Sequence, residues 1–297
     1  MPGWRTWPAA TTWESIGWPP SQSTCWRLPA DGMQPPETSH SDRKQSTAMT
    51  PNDTIRAIEE LTLNAWPAPQ TVLYDGWILR FASGYTRRAN SINPLYPSAI
   101  ELAEKIAACE RIYRDRGLKV IFKLTATSQP VELDDVLAAA GYAFDALTSV
   151  QLLDLRDWAP PRDPSIELTT GVTEEWFAAF CRMSSLAPEH RPAAQQILHA
   201  IVPAAGFALV RQDRETVACG FAVAQEGGVG FFDVVTDGRH RRRGYGQQLM
   251  AGLLNWGKKQ GAHTAYLQVM VNNAAALGLY DKLGFRECYR YWYRVKT

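Results

Sequence analysis

The chain has 297 residues and a formal net charge of +1, with 45% hydrophobic and 21% charged residues. Such values are ordinary for a folded protein of one large or two smaller domains, and the balanced charge gives no global reason to expect a nucleic acid as partner. No apolar run is long enough to span a bilayer, and the first residues lack the basic and apolar regions of a signal peptide. We therefore expect a cytoplasmic protein with neither a membrane nor a nucleic acid as partner.

The cysteines and histidines argue against disulfide and metal chemistry. There are five cysteines, an odd number, and no C-x-x-C spacing occurs. The five histidines are scattered without the spacing of metal ligands. The sequence thus predicts reduced cysteines and no metal site.

Residues 1–48 differ in composition from the rest of the chain. Tryptophans are crowded there among prolines, serines and threonines, without a sustained helical or strand period. Tryptophans outside a periodic frame cannot bury one another efficiently. An aromatic interaction tail is the alternative, but we predict a disordered extension.

An α/β pattern begins at Met49. An amphipathic helix in "MTPNDTIRAIEELTLNAWPA" precedes two paired strands, in "TVLYDGWILRF" and "GYTRRANSIN". A helix ending at Gly117, the strand "LKVIFKL", a helix in "VELDDVLAAAGYAF" and the strand "LTSVQLLDL" follow. Because the proline-rich stretch "RDWAPPRDPS" then indicates a linker, the first predicted domain covers 49–157.

A second α/β pattern covers 165–297. After the strand "SIELTT" come helices around "TEEWFAAFCRM" and "AAQQILHAIV", then strands in "GFALVRQ", "TVACGFAVAQ" and "GVGFFDVVT". The helix "GYGQQLMAGLLNWGKKQ", the strand "TAYLQVM", the helix "NAAALGLYDKL" and the strand "ECYRYWYRV" complete it. The similar phrases "VLAAAGYAF" and "LYDKLGFRE" suggest a faint internal duplication with a repeat of about half the chain.

A basic, glycine-containing stretch, "RHRRRGYG" over 239–246, joins a predicted strand to a predicted helix. Unpaired backbone N–H groups and the positive end of the dipole lie at a helix N-terminus, and glycines let a ligand approach the backbone closely. These features favour a pyrophosphate cradle supported by arginines. A tight turn with solvated arginines stays open as the alternative. The stretch is neither a Walker loop nor G-x-G-x-x-G, since the next glycine is Gly252.

Two segments of the second half carry a family resemblance. The pattern Arg241-x-x-Gly244-x-Gly246 after an apolar strand resembles the acetyl-CoA loop of GNAT (GCN5-related) N-acetyltransferases, and "LQVMVNNAAALGLYDKLGF" is similar to the next strand and helix of that family. One departure is Gly238, where a proline often precedes the loop. The phrase "GWILRF…GYTRRANS" resembles a bacterial subgroup in which a degenerate GNAT-like half precedes the active one.

The resemblance implies an α/β protein of tandem GNAT-like folds, each a mixed, mostly antiparallel sheet flanked by helices. Residues 49–157 would form the degenerate domain and 165–297 the N-acetyltransferase domain. The segment "FKLTATSQPVELDD" occupies the predicted place of a cofactor loop in the first half, without paired glycines or arginines. We expect no cofactor in that half, which should instead help to shape the substrate pocket.

The implied function is the direct transfer of an acetyl group from acetyl-CoA, a co-substrate, to an amine of a small molecule or protein. Backbone groups at the end of a splayed strand would pair with the pantetheine arm and polarise the thioester, and the loop would bind the pyrophosphate. The residues implied in cofactor binding are Val234, Val235, Thr236, Arg241, Arg242, Arg243, Gly244, Tyr245, Gly246, Gln247 and Asn273.

Two side chains are implied in catalysis. Asn273 and Tyr280 share one helical face, and a phenol of pKa near ~10 can protonate a departing thiolate of pKa near ~8.5. Helix capping by Asn273 and simple packing of Tyr280 are the structural alternatives. Asp233 is the candidate general base, with Glu226 at the preceding turn as a second candidate, and a mechanism without a single base stays open.

Two other functions compete with acetyl transfer. A non-catalytic acyl-CoA-binding or scaffolding protein could use the same fold. A nucleic-acid binder using "RHRRR" is a weaker alternative, because the net charge is near zero and the arginines precede a helix. We expect a monomer or a homodimer. The sequence does not identify the acceptor amine.

Overall fold

The computed structural model describes residues 50–159 and 165–296. The predicted extension at 1–48 lies outside the described residues. The helices of the described part are α1 (Pro51–Ala65), α2 (Leu102–Arg114), α3 (Leu133–Ala139), α4 (Glu174–Ser184), α5 (Arg191–His199), α6 (Tyr245–Lys259) and α7 (Ala274–Lys282). The strands are β1 (Gln70–Tyr74), β2 (Trp77–Phe81), β3 (Ile92–Pro94), β4 (Val120–Thr125), β5 (Ala143–Asp154), β6 (Glu167–Thr169), β7 (Ala204–Gln212), β8 (Glu215–Gln225), β9 (Gly228–Thr236), β10 (Thr264–Met270) and β11 (Arg286–Lys296).

All of these strands belong to one sheet, in the order β1-β2-β3-β4-β11-β5-β10-β9-β8-β7-β6. Two neighbouring pairs, β3–β4 and β9–β10, are parallel, and the other pairs are antiparallel. Helices pack on the sheet and bury apolar residues against it. The predicted fold class, a mixed and mostly antiparallel sheet flanked by helices, is confirmed.

The centre of the sheet is built by an exchange of strands between the two halves of the chain. Strand β11, the last of the second half, lies between β4 and β5 of the first half. Strand β5 pairs in turn with β10. Each half therefore needs a strand of the other to continue its sheet.

The same order of elements occurs twice along the chain. Strands β1–β3, helix α2, strand β4, helix α3 and strand β5 have the same succession as β7–β9, α6, β10, α7 and β11. Helices α3 and α7 are both followed by a glycine with positive φ, Gly141 and Gly284, which ends the helix before the exchanged strand. This recurrence supports the predicted duplication, and the domain boundary at 157–165 stays a prediction.

Helix α1 begins as its sequence predicts. Thr50 accepts a hydrogen bond from the backbone N–H of Asp53, whose carboxylate reaches back to the Thr50 N–H, and Pro51 occupies the first turn. This capping box satisfies N–H groups that have no partner within the helix. The apolar face of α1 then buries Ile55 and Ile58.

The predicted pair of strands after α1 is only partly correct. Strands β1 and β2 pair around the turn at Asp75 and Gly76, but most of "GYTRRANSIN" is a loop that ends in the short strand β3. The Asn90 side chain accepts from the N–H of Ala82 and donates to the carbonyl of Tyr85, at 2.8 and 2.7 Å. These bonds close a compact loop, because an asparagine side chain competes with the strand ladder for backbone groups.

The first half was predicted to have "FKLTATSQPVELDD" at the position that the cofactor loop occupies in the second half, and this prediction is wrong. Since α2 joins the parallel strands β3 and β4, as α6 joins β9 and β10, the equivalent loop is 95–101. The segment "FKLTATSQPVELDD" instead contains most of β4 and the start of α3. Sequence alone did not show that the first parallel pair begins as early as Ile92.

The N–H groups at the start of α2 already have anionic partners within the protein. The Asp75 carboxylate accepts from the N–H of Ala99 at 3.0 Å and of Ile100 at 2.9 Å. Glu101 accepts from the N–H of Glu104 at 3.0 Å. A phosphate would have to displace these carboxylates, which supports our expectation that the first half does not bind the cofactor.

Candidate active site

A cleft opens where β9 and β10 diverge. The parallel pairing of the two strands runs from Thr264 and Gly228 to Leu267 and Phe231, although both strands continue beyond these residues. Backbone from Phe232 to Thr236 therefore lacks a ladder partner on the β10 side within the described residues. The splayed edge predicted from sequence is present, and the cleft there has a volume of about 760 Å³.

Both halves of the chain line this cleft. The second half contributes residues of β9, β10, α7 and β11, and the first half contributes the loop before β3 and part of β5. The lining residues are Thr86, Arg87, Arg88, Ala146, Thr148, Phe231, Phe232, Asp233, Val234, Gln268, Val269, Met270, Asn272, Asn273, Ala276, Tyr280, Tyr291 and Tyr293. Four predicted site residues, Asp233, Val234, Asn273 and Tyr280, are thus brought together.

A β-bulge presents Asp233 to the cleft. On β8, Cys219 pairs with Val235 and Phe221 pairs with Phe232. The single residue between them, Gly220, therefore faces two residues of β9, Asp233 and Val234. The backbone of Asp233 has a φ of 49°, a left-handed conformation that aspartate tolerates better than most residues. Gly220 permits the close approach, since a Cβ there would lie 3.2 Å from the Val234 Cα.

The carboxyl of Asp233 is almost removed from water. Its side chain is 13% exposed, and Oδ2 is buried without a hydrogen-bond partner among the described residues. Desolvation raises the pKa of Asp233 to about 6, and the nearby Arg88 guanidinium opposes that rise. A carboxyl with this pKa is ionised at neutral pH and can still accept a proton.

Tyr280 also lines the cleft, on α7. It is 8% exposed, and its ring meets that of Phe285 edge-on at 5.9 Å between centroids. Burial raises the pKa of Tyr280 to about 12, which corrects the value near ~10 used in the sequence analysis. The hydroxyl therefore stays protonated across the physiological range, so it can donate a proton or a hydrogen bond but cannot act as a base.

Asn273 caps helix α7. Its side-chain oxygen accepts a hydrogen bond from the N–H of Ala276 at 3.2 Å. The capping alternative is therefore correct for this oxygen, while the side-chain NH₂ group is left for other contacts.

Val235 and Thr236 are half-buried at the end of β9, paired with Cys219 and Ala218, and do not line the cleft.

The basic loop forms the N-terminus of α6, as predicted. Gly244 caps the helix with a φ of 88°, and the first intrahelical bond runs from the N–H of Gln248 to its carbonyl, at 2.9 Å. The N–H groups of Tyr245, Gly246 and Gln247 therefore precede the helical hydrogen-bond ladder. A Cβ on Gly246 would lie 3.3 Å from Leu279 and 3.4 Å from the Thr236 hydroxyl, so this helix end adjoins both α7 and the end of β9.

The arginines of the loop divide into two groups. Arg241, Arg242 and Arg243 are exposed and form no ion pair within 50–159 and 165–296. Arg239 instead bonds Asp237 and Glu215. The side chains of the first group are free to bind an external anion, whereas Arg239 stabilises the loop through its ion pairs.

Asp237 holds the base of the loop in place. Its N–H donates to the Val217 carbonyl at 2.9 Å, and its carboxylate accepts from the N–H of Arg239 at 2.9 Å and from Arg182 at 2.7 Å. Hydrogen bonds from Arg239 hold the pKa of Asp237 well below its usual range. Asp237 therefore stays ionised, and it is a supporting residue that the sequence analysis missed.

Glu226, the second candidate base, lies outside the cleft. It occupies the turn before β9, at the end of the strand remote from the divergence.

Sequence reasoning also missed that Thr86, Arg87 and Arg88 line the cleft. The available signal was a pair of arginines inside a segment that had been interpreted as a strand.

Comparison with known proteins identifies the family. A family model described as "probable histone acetyltransferase Rv0428c C-terminal" matches residues 52–294. The chain is a GNAT N-acetyltransferase. The "uncharacterized N-acetyltransferase YobR" of Bacillus subtilis is 31% identical to this GNAT enzyme over 250 residues, covering 82% of the chain and 99% of YobR.

Solved structures show the same fold. A GCN5-related N-acetyltransferase from Kribbella flavida matches with a TM-score of 0.58 at 17% identity, over 81% of this chain and 95% of the other. A tandem GNAT protein from the clavulanic acid biosynthesis pathway matches with a TM-score of 0.55 at 14% identity, over 80% of this chain and 87% of the other.

Within the described part of this enzyme, every helix falls short of the length and apolarity that a membrane crossing requires.

Proposed function

We propose that this GNAT enzyme transfers the acetyl group of acetyl-CoA directly to an amine of a small molecule or protein. The observation that carries the proposal is the cleft at the divergence of β9 and β10, where Asp233 and Tyr280 are both presented. The N-terminus of α6 adjoins the same strand and the same helix as these residues. A helix N-terminus suited to an anion and two side chains suited to proton transfer thus lie near one end of the sheet, which supports the proposal.

The first step is binding of the co-substrate. The N–H groups of Tyr245, Gly246 and Gln247, with the positive end of the α6 dipole, would hold the pyrophosphate, and Arg241–Arg243 would add charge. The backbone from Val234 to Thr236, which has no ladder partner on the β10 side among the described residues, and the amide of Asn273 would hold the pantetheine arm. These groups would fix the thioester beside Asp233 and Tyr280.

The second step is acyl transfer. The amine nitrogen forms a bond to the thioester carbonyl carbon, the carbon–sulfur bond breaks, and the products are an amide and the free thiol. Asp233 accepts the proton that the amine loses, and Tyr280 donates one to the departing thiolate. Burial raises the pKa of Tyr280, so the phenol keeps its proton until the thiolate departs.

An isosteric pair of substitutions at Gly244 tests the anion site. A Cβ at this position meets no atom within 4 Å, and both Asp and Asn tolerate positive φ, so Gly244→Asn and Gly244→Asp differ in charge alone. We expect Gly244→Asp to weaken acetyl-CoA binding at least ~10-fold relative to Gly244→Asn, through repulsion of the pyrophosphate. Gly246 is less suitable because a side chain there would press on Leu279.

Calorimetric titration with acetyl-CoA measures the affinities, and circular dichroism verifies the fold of each variant. Equal affinities in two folded variants would refute the pyrophosphate assignment. Free-thiol release with a panel of amines then separates acetyl transfer from binding alone. Thiol release that no amine accelerates would refute the proposed transfer.

A further inference from the structure

Arg88 is a cation placed in the cleft by the first half of the chain. It lies in the loop between β2 and β3, and its side chain is 23% exposed. Its guanidinium carbon is 4.6 Å from the ring centroid of Trp66 and 5.8 Å from that of Phe232. Facing two aromatic rings fixes the guanidinium plane and favours the cation.

The backbone that carries Arg88 is itself anchored. The buried Arg80 donates to the Arg88 carbonyl at 2.6 Å and also to the carbonyl of Trp66. Asn90 closes the same loop through the bonds described above. The position of Arg88 is therefore set by the fold of the first half.

Among the described residues, the carboxylate within ion-pair distance of this guanidinium is that of the proposed base: Arg88 Nη2 lies 4.0 Å from Asp233 Oδ1. The Arg88 guanidinium makes no hydrogen bond with the described residues. Arg87, its neighbour, is engaged elsewhere in an ion pair with Asp145 at 2.6 Å. Arg88 and Asp233 therefore face each other across the boundary between the two halves.

Other titratable groups around Asp233 are neutral. Burial raises the pKa values of Tyr85 in the same loop and Cys219 on β8, and the charge of Asp233 raises both further. Burial likewise raises the pKa values of Cys181 on α4, Tyr280 on α7 and Tyr293 on β11. Among the described residues, Arg88 is thus the charge that opposes desolvation of the Asp233 carboxylate.

We propose that Arg88 is a positioning residue that holds Asp233 in its ionised form, so that the first half of the chain completes the active site of the second. The proposal rests on the assignment of Asp233 as general base. In a poorly solvated cleft, a cation at this distance typically shifts a carboxyl titration by about one to three units. Without it, Asp233 would be protonated, and unable to accept the amine proton, over much of the neutral range.

The test is the pH dependence of kcat/KM for thiol release from acetyl-CoA, with the most active amine of the panel. In the parent enzyme the acidic limb should follow the ionisation of Asp233, with half-maximal activity near pH ~6. Arg88→Gln should move that limb up by about 1 to 3 pH units, with activity recovering at alkaline pH. Arg88→Lys, which keeps a cation, should hold the limb close to the parent.

Arg116→Gln is the matched control, because the Arg116 guanidinium also faces an aromatic ring, that of Phe81 at 4.9 Å, but does not line the cleft; its acidic limb should stay in place. If Arg88→Gln fails to fold, Arg88→Met replaces the cation with an unbranched apolar side chain suited to the aromatic surroundings of Trp66 and Phe232, and gives the same readout. A raised KM with an unmoved limb would assign Arg88 to acceptor binding and overturn the proposal. An unmoved limb with unchanged KM would overturn it equally.

A second arm separates this proposal from the assignment on which it rests. If Asp233→Asn retains both activity and the acidic limb, Asp233 is not the base, and the proposed chemistry itself fails. If Asp233→Asn abolishes the limb while Arg88→Gln leaves it unmoved, the base assignment survives and the role of Arg88 alone is refuted. Direct titration of the Asp233 carboxyl by carbon NMR, in the parent and in Arg88→Gln, gives the same shift independently of turnover.

Discussion

Replacing Asp233 with asparagine should remove activity and, at the same time, change how stability depends on pH. In the folded chain the carboxyl has a pKa of about 6, against 3.8 for an aspartate carboxyl that is exposed to water, as in the unfolded chain. Between these values the folded state holds a proton that the unfolded state has released. The parent therefore loses stability as pH rises through this window, and the penalty is fully present above the folded pKa.

The size of the effect follows from these two values. At pH 5 the folded carboxyl is mostly protonated and the unfolded one mostly ionised, whereas at pH 7.5 both are ionised. Linkage gives a loss on the order of 1 kcal/mol from the parent between pH 5 and pH 7.5 through this group. The asparagine side chain cannot ionise, so Asp233→Asn does not lose this stability as pH rises. The difference in the free energy of unfolding, Asp233→Asn minus parent, should therefore increase by this amount between pH 5 and pH 7.5.

Urea unfolding followed by circular dichroism at the two pH values measures this difference, and single-turnover thiol release measures the chemistry. We expect the rate to fall by about 10²- to 10⁴-fold, the range of general acid–base catalysis. Asp213→Asn is the control, because Asp213 shares a φ of 49° but is exposed in the turn between β7 and β8. A stability difference that is the same at both pH values would refute the raised pKa, and an unchanged rate would remove Asp233 from the mechanism.

Two further predictions concern a side chain and a segment. Tyr280→Phe should lower the single-turnover rate by about 10²-fold or more with nearly unchanged acetyl-CoA affinity, whereas Tyr142→Phe, which loses a hydroxyl bonded to Glu110, should leave the rate unchanged. A rate of Tyr280→Phe within about twofold of the parent would exclude Tyr280 as the acid. A chain that begins at Met49 should keep its melting temperature and acetyl-CoA affinity, because the family match starts at residue 52. A clear fall in either would show that residues 1–48 contribute to the fold or the site.

Much of this enzyme could be predicted from short-range patterns. Helix α6 was predicted at 244–260 and occupies Tyr245–Lys259, and strand β9 was predicted with the bounds that it has. Apolar periodicity and glycine positions are local signals, so they identify elements of this length well. The family resemblance rested on the same kind of signal, since the loop and the following strand and helix are contiguous in sequence.

The long-range pairing of the chain could not be predicted in this way. No local pattern predicts that β11 lies between β4 and β5. Nor does any local pattern predict that the loop before α2, and not the loop before α3, is equivalent to the loop before α6. Pairing partners are chosen by the packing of the whole sheet. Sequence analysis therefore assigned the vestigial loop to the wrong segment.

The candidate active site shows the same division. Asp233, Asn273 and Tyr280 could be named from the sequence because they belong to elements that carry the family pattern. The bulge that turns Asp233 into the cleft depends on its pairing with Gly220, and the charge beside it comes from Arg88, which the sequence places more than half the described chain away. The pKa values of Asp233 and Tyr280 follow from burial. Burial is a property of the assembled sheet and helices, so tertiary structure alone decided how these groups can exchange protons.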